Sequence, residues 1–136
     1  MPRTRFCPTF LCLLLVLWLI GCGEKSFESR YENAPNTLLT RIIEVDEHSN
    51  VVTELRPEAF AEQGWALGDT LEVVFSTGQS IRIKYVEDYG DVPEGEYLGR
   101  FSSSRGIFKI AINRGKLAEA LSLKPQTQLA LRKHAL

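Results

Sequence analysis

Of the three cysteines, Cys7, Cys12 and Cys22, only Cys22 stands where a thiol would do chemistry. It follows Leu19, Ile20 and Gly21 at the end of an unbroken apolar run over residues 10–20, and polar residues come after it. A small residue before a cut and a thiol just after it suit cleavage followed by lipid attachment at sulfur. The rest of the chain is poor in reactive sets: it has no Ser/His/Asp arrangement, no His-Glu-x-x-His and no phosphate loop. A lone histidine in a turn, as His48 is, points to neither a ligand nor a catalyst, and His134 is expected to be disordered near the end of the chain. Asp46 and Asn50 border one polar turn, Ser104 and Arg105 lie in another, and residues of these types satisfy their own turn's backbone.

The N-terminus places Cys22 in context. Arg3 and Arg5, with no acid nearby, make a positive opening segment. The apolar run is too short for a bilayer core, which needs about 20 apolar residues, and fits a signal-peptide core of roughly 7–15. Residues 19–22 resemble the lipobox read by lipoprotein-processing enzymes. The expectation is a signal peptide over 1–21 and a lipid-bearing, palmitate-type Cys22 as the first mature residue. The alternative is a plain secretory signal whose cleavage site happens to hold a cysteine. Cys7 and Cys12 leave with the leader, and an acylated Cys22 leaves no disulfide available, so the exported domain must fold by its core alone. Several acyl chains anchor stably where one does not. The expected partner of Cys22 is therefore the lipid bilayer. Gly23, not aspartate, follows Cys22, which leans towards the periplasmic face of the outer membrane if the cell is Gram-negative.

The whole chain carries 16 Lys+Arg and 17 Asp+Glu; losing Arg3 and Arg5 makes the mature chain more acidic. Nucleic acid, which needs a basic patch or stripe, is not an expected partner. Residues 22–136 suffice for one domain. Residues 22–37 read as the lipidated cysteine and a polar tether, which as flexible chain would reach on the order of 20 Å.

Strand signals dominate the domain over 38–133. Residues 38–45, 51–55, 70–76, 80–85, 97–102, 106–112 and 128–132 each read as a strand, separated by polar or Gly-rich turns. Thr77-Gly78 marks a hairpin. Pro57 opens a short helix over 58–63 that Gly64 stops, and 116–121 reads as a second. The expectation is a mainly β fold: a small antiparallel β-barrel or sandwich with one or two short helices.

The runs Asp88-Tyr-Gly-Asp-Val-Pro-Glu-Gly-Glu-Tyr-Leu98, Ser103-Ser-Arg-Gly-Ile-Phe-Lys-Ile-Ala-Ile-Asn113 and Gly115-Lys-Leu-Ala-Glu-Ala-Leu-Ser-Leu123 carry a resemblance. They are similar to the C-terminal domain of the S-adenosyl-L-methionine hydroxide adenosyltransferases, relatives of the fluorinase and chlorinase. Residues 42–55 resemble that domain's opening strand pair, usually Ile-Asp-x-Phe-Gly-Asn-x-x-Thr-Asn. The resemblance covers roughly 41–132 and implies a small β-barrel. In the family this domain is half of an enzyme whose site lies against an N-terminal α/β domain across a trimer contact. It implies that Asn50 reads an adenine edge, through the paired donor and acceptor of its amide. It also implies that Asp46 lies near a methionine amino group and that Ser104 and Arg105 hold the methionine carboxylate, the arginine by a bidentate fork. Asn113 would approach adenine by its backbone. Adenosine or S-adenosylmethionine is thus a ligand by resemblance only; no cofactor is otherwise expected.

Departures weigh against catalysis. His48 stands where the family often has a stacking aromatic residue, Ser49 replaces a glycine, and Glu54 stands where a second asparagine is common. These residues hold no counterpart of the N-terminal domain that supplies the groups around the ribose and the attacking species. S-adenosylmethionine is cytosolic, whereas a lipobox directs export. The expectation is a non-catalytic envelope lipoprotein whose barrel binds a protein partner or a small ligand, with Phe60, Trp65, Tyr89 and Tyr97 as candidates for an exposed apolar patch. The alternatives are a nucleoside-binding module, in which Asp46, Asn50, Ser104 and Arg105 converge on one pocket, and one half of a split hydrolase with a separate partner chain. The family's trimer is not carried over.

Overall fold

In the computed structural model residues 25–134 are described; the leader over 1–21 and Cys22 lie outside them. A short helix, α1 (Phe27–Tyr31), leads into β1 (Thr37–Val45) and β2 (Val51–Thr53). Then come α2 (Pro57–Gln63), β3 (Thr70–Phe75) and β4 (Ser80–Tyr85). A 3-10 turn (Tyr89–Asp91) precedes β5 (Tyr97–Phe101) and β6 (Phe108–Ile112), and α3 (Leu117–Leu121) precedes β7 (Gln128–Lys133).

The seven strands close into a barrel in the order β1-β2-β6-β5-β4-β3-β7, with β7 returning to β1. Alternation sets the inside. Leu71, Val73 and Phe75 of β3 and Ile81 and Ile83 of β4 point inward, as a period of two requires. Thr53 is the buried polar residue on β2, and its hydroxyl donates to Phe108 O at 2.9 Å. The Thr40 hydroxyl, also buried, has no partner among the described residues.

Helices plug both ends. Phe60 of α2 packs edge-on or tilted against Trp65, Tyr85, Phe101 and Phe108, with ring centroids 4.6–5.0 Å away. Burial there pushes the Tyr85 phenol above its ordinary pKa. At the other end Leu117, Ala118 and Leu123 join the core from α3 and the turn after it. Pro57 at the start of α2 and Gly64 in left-handed conformation (φ 72°) at its end bear out the expected start and stop.

Several features differ from the reading of the sequence. The stretch taken as tether contains α1, capped by the Ser26 hydroxyl and with Phe27 packed on Tyr31, so the described residues hold three helices. The β4–β5 pair is parallel. Residues 86–96 carry the chain back along the barrel before β5, where Val86 and Val92 form a small second core with Leu98 and Ala111. His134 is tied down, its backbone N–H donating to Thr70 O at 2.8 Å. Phe60 and Trp65 are buried rather than exposed, and Tyr89 and Tyr97 are half-buried. Among the described residues Leu67 is the large apolar side chain left in solvent.

Gly99 of β5 is fixed by a close approach. A Cβ there would collide with the Phe108 ring and lie 2.8 Å from Ile83 Cδ1. Gly99→Ala is expected to cost about 1–3 kcal/mol by overpacking, read as a lowered urea midpoint.

Candidate functional site

The β1–β2 turn sets the site. A β-bulge between Ile42 and Glu44 bends the end of β1. Asp46 follows, its side chain only 11% exposed. Asp46 Oδ1 accepts from the backbone N–H groups of His48 (2.9 Å) and Asn50 (3.0 Å), closing the turn. Asp46 Oδ2 accepts from Lys109 Nζ of β6 at 3.1 Å and from Asn50 Nδ2 at 3.2 Å. Burial pushes this carboxyl up, but the bonds from the Asn50 backbone, Lys109 and the His48 backbone outweigh it, and its pKa lies below the usual aspartate value.

Asn50 is 5% exposed. Its Nδ2 must face the Asp46 carboxylate, because an amide oxygen there would repel it; this fixes which way the amide points. The same Nδ2 donates to the Tyr89 hydroxyl at 3.3 Å. Among the described residues nothing donates to Asn50 Oδ1, which leaves that oxygen as an acceptor. Tyr89 is held from its other side by Arg100, whose guanidinium carbon lies 4.9 Å from the ring centroid. Arg100 is itself fixed by a 2.9 Å bond from Nε to Glu87 O.

Asn50 and Tyr89 line an open groove of about 430 Å³ together with His48, Ile112, Arg114 and Lys116. His48 is exposed, with Glu47 at 3.4 Å. Arg114 and Lys116 reach Glu94 (3.9 Å) and Glu119 (3.6 Å) in solvent, where such pairs add little stability.

Ser49 is the residue that joins this turn to α3. It sits in left-handed conformation (φ 63°), where a glycine carries no strain. Its carbonyl accepts from Ala118 N (2.9 Å) and its hydroxyl from Glu119 N (3.0 Å). Lys116, at the N-cap of α3, supplies no side-chain cap, so Ser49 caps the helix from a distant loop.

The structure brings Asp46 and Asn50 together but does not bring Ser104 and Arg105 to the same groove. The Ser104 hydroxyl pairs with that of Ser102 at 3.1 Å, and Arg105 Nη1 donates to Glu44 Oε2 at 2.7 Å. The four side chains therefore do not converge, because the polar groups of the β5–β6 turn find partners within the turn and on β1. Asn113 is a stitch between loop and barrel. Its N–H donates to Glu96 O, its carbonyl accepts from Gly95 N, and its Nδ2 donates to Val92 O at 2.8 Å. Lys109 and Arg114 went unseen as site residues, and Tyr89 was expected only as part of an exposed apolar patch. The one signal for Tyr89 was an aromatic residue inside the turn-forming run 88–95.

Fold and site together define a small closed β-barrel with a polar-rimmed groove at one end. The model of the SAM hydroxide adenosyltransferase C-terminal domain matches residues 40–130, and the chain belongs to this family. An uncharacterized conserved protein from Thermotoga maritima has the same fold, with a TM-score of 0.66 and 24% identity over 71% of this chain. A conserved hypothetical protein from Thermus thermophilus matches with a TM-score of 0.50 and 26% identity, again over 71% of this chain. This chain spans only 36% and 34% of those two. Among curated proteins, none matches.

Two predictions test the turn. Ser49→Ala should cost about 1 kcal/mol by loss of the cap, while Ser49→Gly, which also relieves the strained φ, should stay within about 0.5 kcal/mol of wild type in denaturant melts. Because the folded Asp46 pKa is depressed, its stabilisation is complete above the ordinary value of 3.8 and is lost as pH falls through the lower folded value. The part of the stability that Asp46 supplies should therefore hold from neutrality to about pH 4 and be lost below. Asp46→Asn should be less stable at neutrality and show a shallower acid decline in pH-resolved thermal melts.

Proposed function

We propose that this protein is a bacterial lipoprotein anchored through an acylated Cys22, and that its barrel is a non-catalytic module that binds a protein partner or a small ligand. In a Gram-negative cell it would stand on the periplasmic face of the outer membrane, as Gly23 after Cys22 suggests. The observation that carries the reading is the groove beside Asn50. It offers one oriented amide oxygen, the Tyr89 ring and a rim of charges, a set suited to recognition. His48, the one imidazole on that rim, faces Glu47 in solvent and has no nucleophile within hydrogen-bond reach among the described residues, so an acid–base role has no geometric support.

A second reading is supported by Asn50 itself. A buried amide whose oxygen is free and whose nitrogen is fixed, beside an aromatic ring, has the chemistry to recognise a purine edge. On that reading the barrel is a nucleoside- or S-adenosylmethionine-binding module, or one half of a split hydrolase that works with a separate chain. The Arg105–Glu44 pair weighs against retained methionine-carboxylate binding, since the guanidinium already has a carboxylate partner.

Two measurements separate these readings. Cells fed labelled palmitate should incorporate it at Cys22, and Cys22→Ala should move the protein out of the membrane fraction. Calorimetric titration of residues 23–136 with adenosine, methionine and S-adenosylmethionine should give no heat if the partner is a protein or another ligand. Binding tighter than about 100 μM, roughly 5.5 kcal/mol, that is lost in Asn50→Ala would replace the first reading with the nucleoside one.

A further inference from the structure

The placement of α1 carries an inference about how the barrel stands on its anchor. The capping residue of α1, Ser26, is four residues beyond Cys22. Four residues of backbone reach at most about 14 Å. α1 packs on β1 and β7, and Tyr31 lies near enough to Arg132 to act on its charge. Arg132 is the register partner of Thr37, so α1 sits at the end of the barrel where β1 begins and β7 finishes.

That end is the base. Asp69 and Lys133 meet there at 3.3 Å, and His134 donates to Thr70 O. Leu67 belongs to the same end, since its neighbour Gly68 donates to Tyr85 O and Asp69 is next in the chain. Leu67 is 57% exposed. The Asn50–Tyr89 groove is at the opposite end, beyond Val45. The length of β1 between them is roughly 25 Å at 3.3 Å per residue.

We propose that the base of the barrel, carrying α1 and Leu67, faces the bilayer that holds Cys22, and that the Asn50–Tyr89 groove opens away from it. The inference rests on the lipid-anchored reading above. Its consequence is the class of partner: the groove meets a water-borne solute or polypeptide, not a lipid of the bilayer beneath. A docked α1 makes the leash short, and the short leash sets the orientation. Arg132 and Lys133 at the base are paired with Glu72 (2.9 Å) and Asp69.

The experiment uses lipidated full-length protein in phosphatidylcholine vesicles that carry a headgroup-attached quencher. Leu67→Cys and His48→Cys each receive a thiol-reactive fluorophore; the acylated Cys22 thiol is blocked. The Leu67 label should be quenched at least about threefold more strongly than the His48 label, since the two sit at opposite ends of a barrel whose tilted strands rise roughly 20 Å along its axis. Equal quenching, or stronger quenching at His48, would overturn the orientation. Inserting about 20 Gly/Ser residues between Cys22 and Ser26, a reach of roughly 25 Å, should erase the difference. Its persistence would overturn the leash. Palmitate incorporation is read on the same samples. Its absence overturns the anchored reading itself, whereas palmitate with equal quenching overturns only the orientation.

Discussion

Five register pairs, from Thr37↔Arg132 to Arg41↔Gln128, join the first strand of the barrel to the last. Without them the sheet would have two open edges and an interior exposed along one side. With them, Leu38 and Ile42 of β1 join Leu71, Val73, Leu129 and Leu131 in one closed core, and α2 and α3 have ends to plug. The described residues hold no cysteine, so no disulfide joins them. Burial of apolar surface must then offset the chain entropy of folding unaided, which explains why both barrel mouths are filled with aromatic or aliphatic side chains.

Closure also builds the site. Bringing β6 beside β2 puts Lys109 against Asp46, and a charged pair this far out of water must be well hydrogen-bonded to persist. The Asp46 carboxylate meets that demand with four donors. In doing so it fixes the Asn50 amide, which in turn holds the Tyr89 hydroxyl. One buried carboxylate thus orders a turn, a cross-strand pair and a loop residue 39 positions beyond Asn50. Ser49 fits the same frame. The residue accepts a strained φ and returns a cap to α3, which ties the turn to the helix beside the groove.

The family shares a barrel, but this chain treats its polar positions unevenly. Asn50 Oδ1 has no donor among the described residues, while Arg105 and Asn113 are taken up by contacts within the barrel. A groove with few unengaged polar groups is suited to recognition by a few contacts, which is the role proposed for it.

By itself the sequence determined what local physics controls. Runs of β-branched and apolar residues between turn formers marked the strands, Pro57 and Gly64 bounded α2, and the polar composition of 46–50 and 88–95 placed the turns. The Gly21-Cys22 junction and the motifs of 88–123 pointed to export and to the family, and Asp46 and Asn50 were legible as site candidates from that resemblance. Only the tertiary structure decided which turns meet. The parallel β4–β5 pair, the Lys109–Asp46 bond across 63 positions, the Tyr89 contact and the separation of Ser104 and Arg105 from the groove all depend on barrel closure and register. Periodicity reports which face of a strand is buried, but it carries no information about which neighbour that strand will find. That choice is made when distant segments close loops around one shared core.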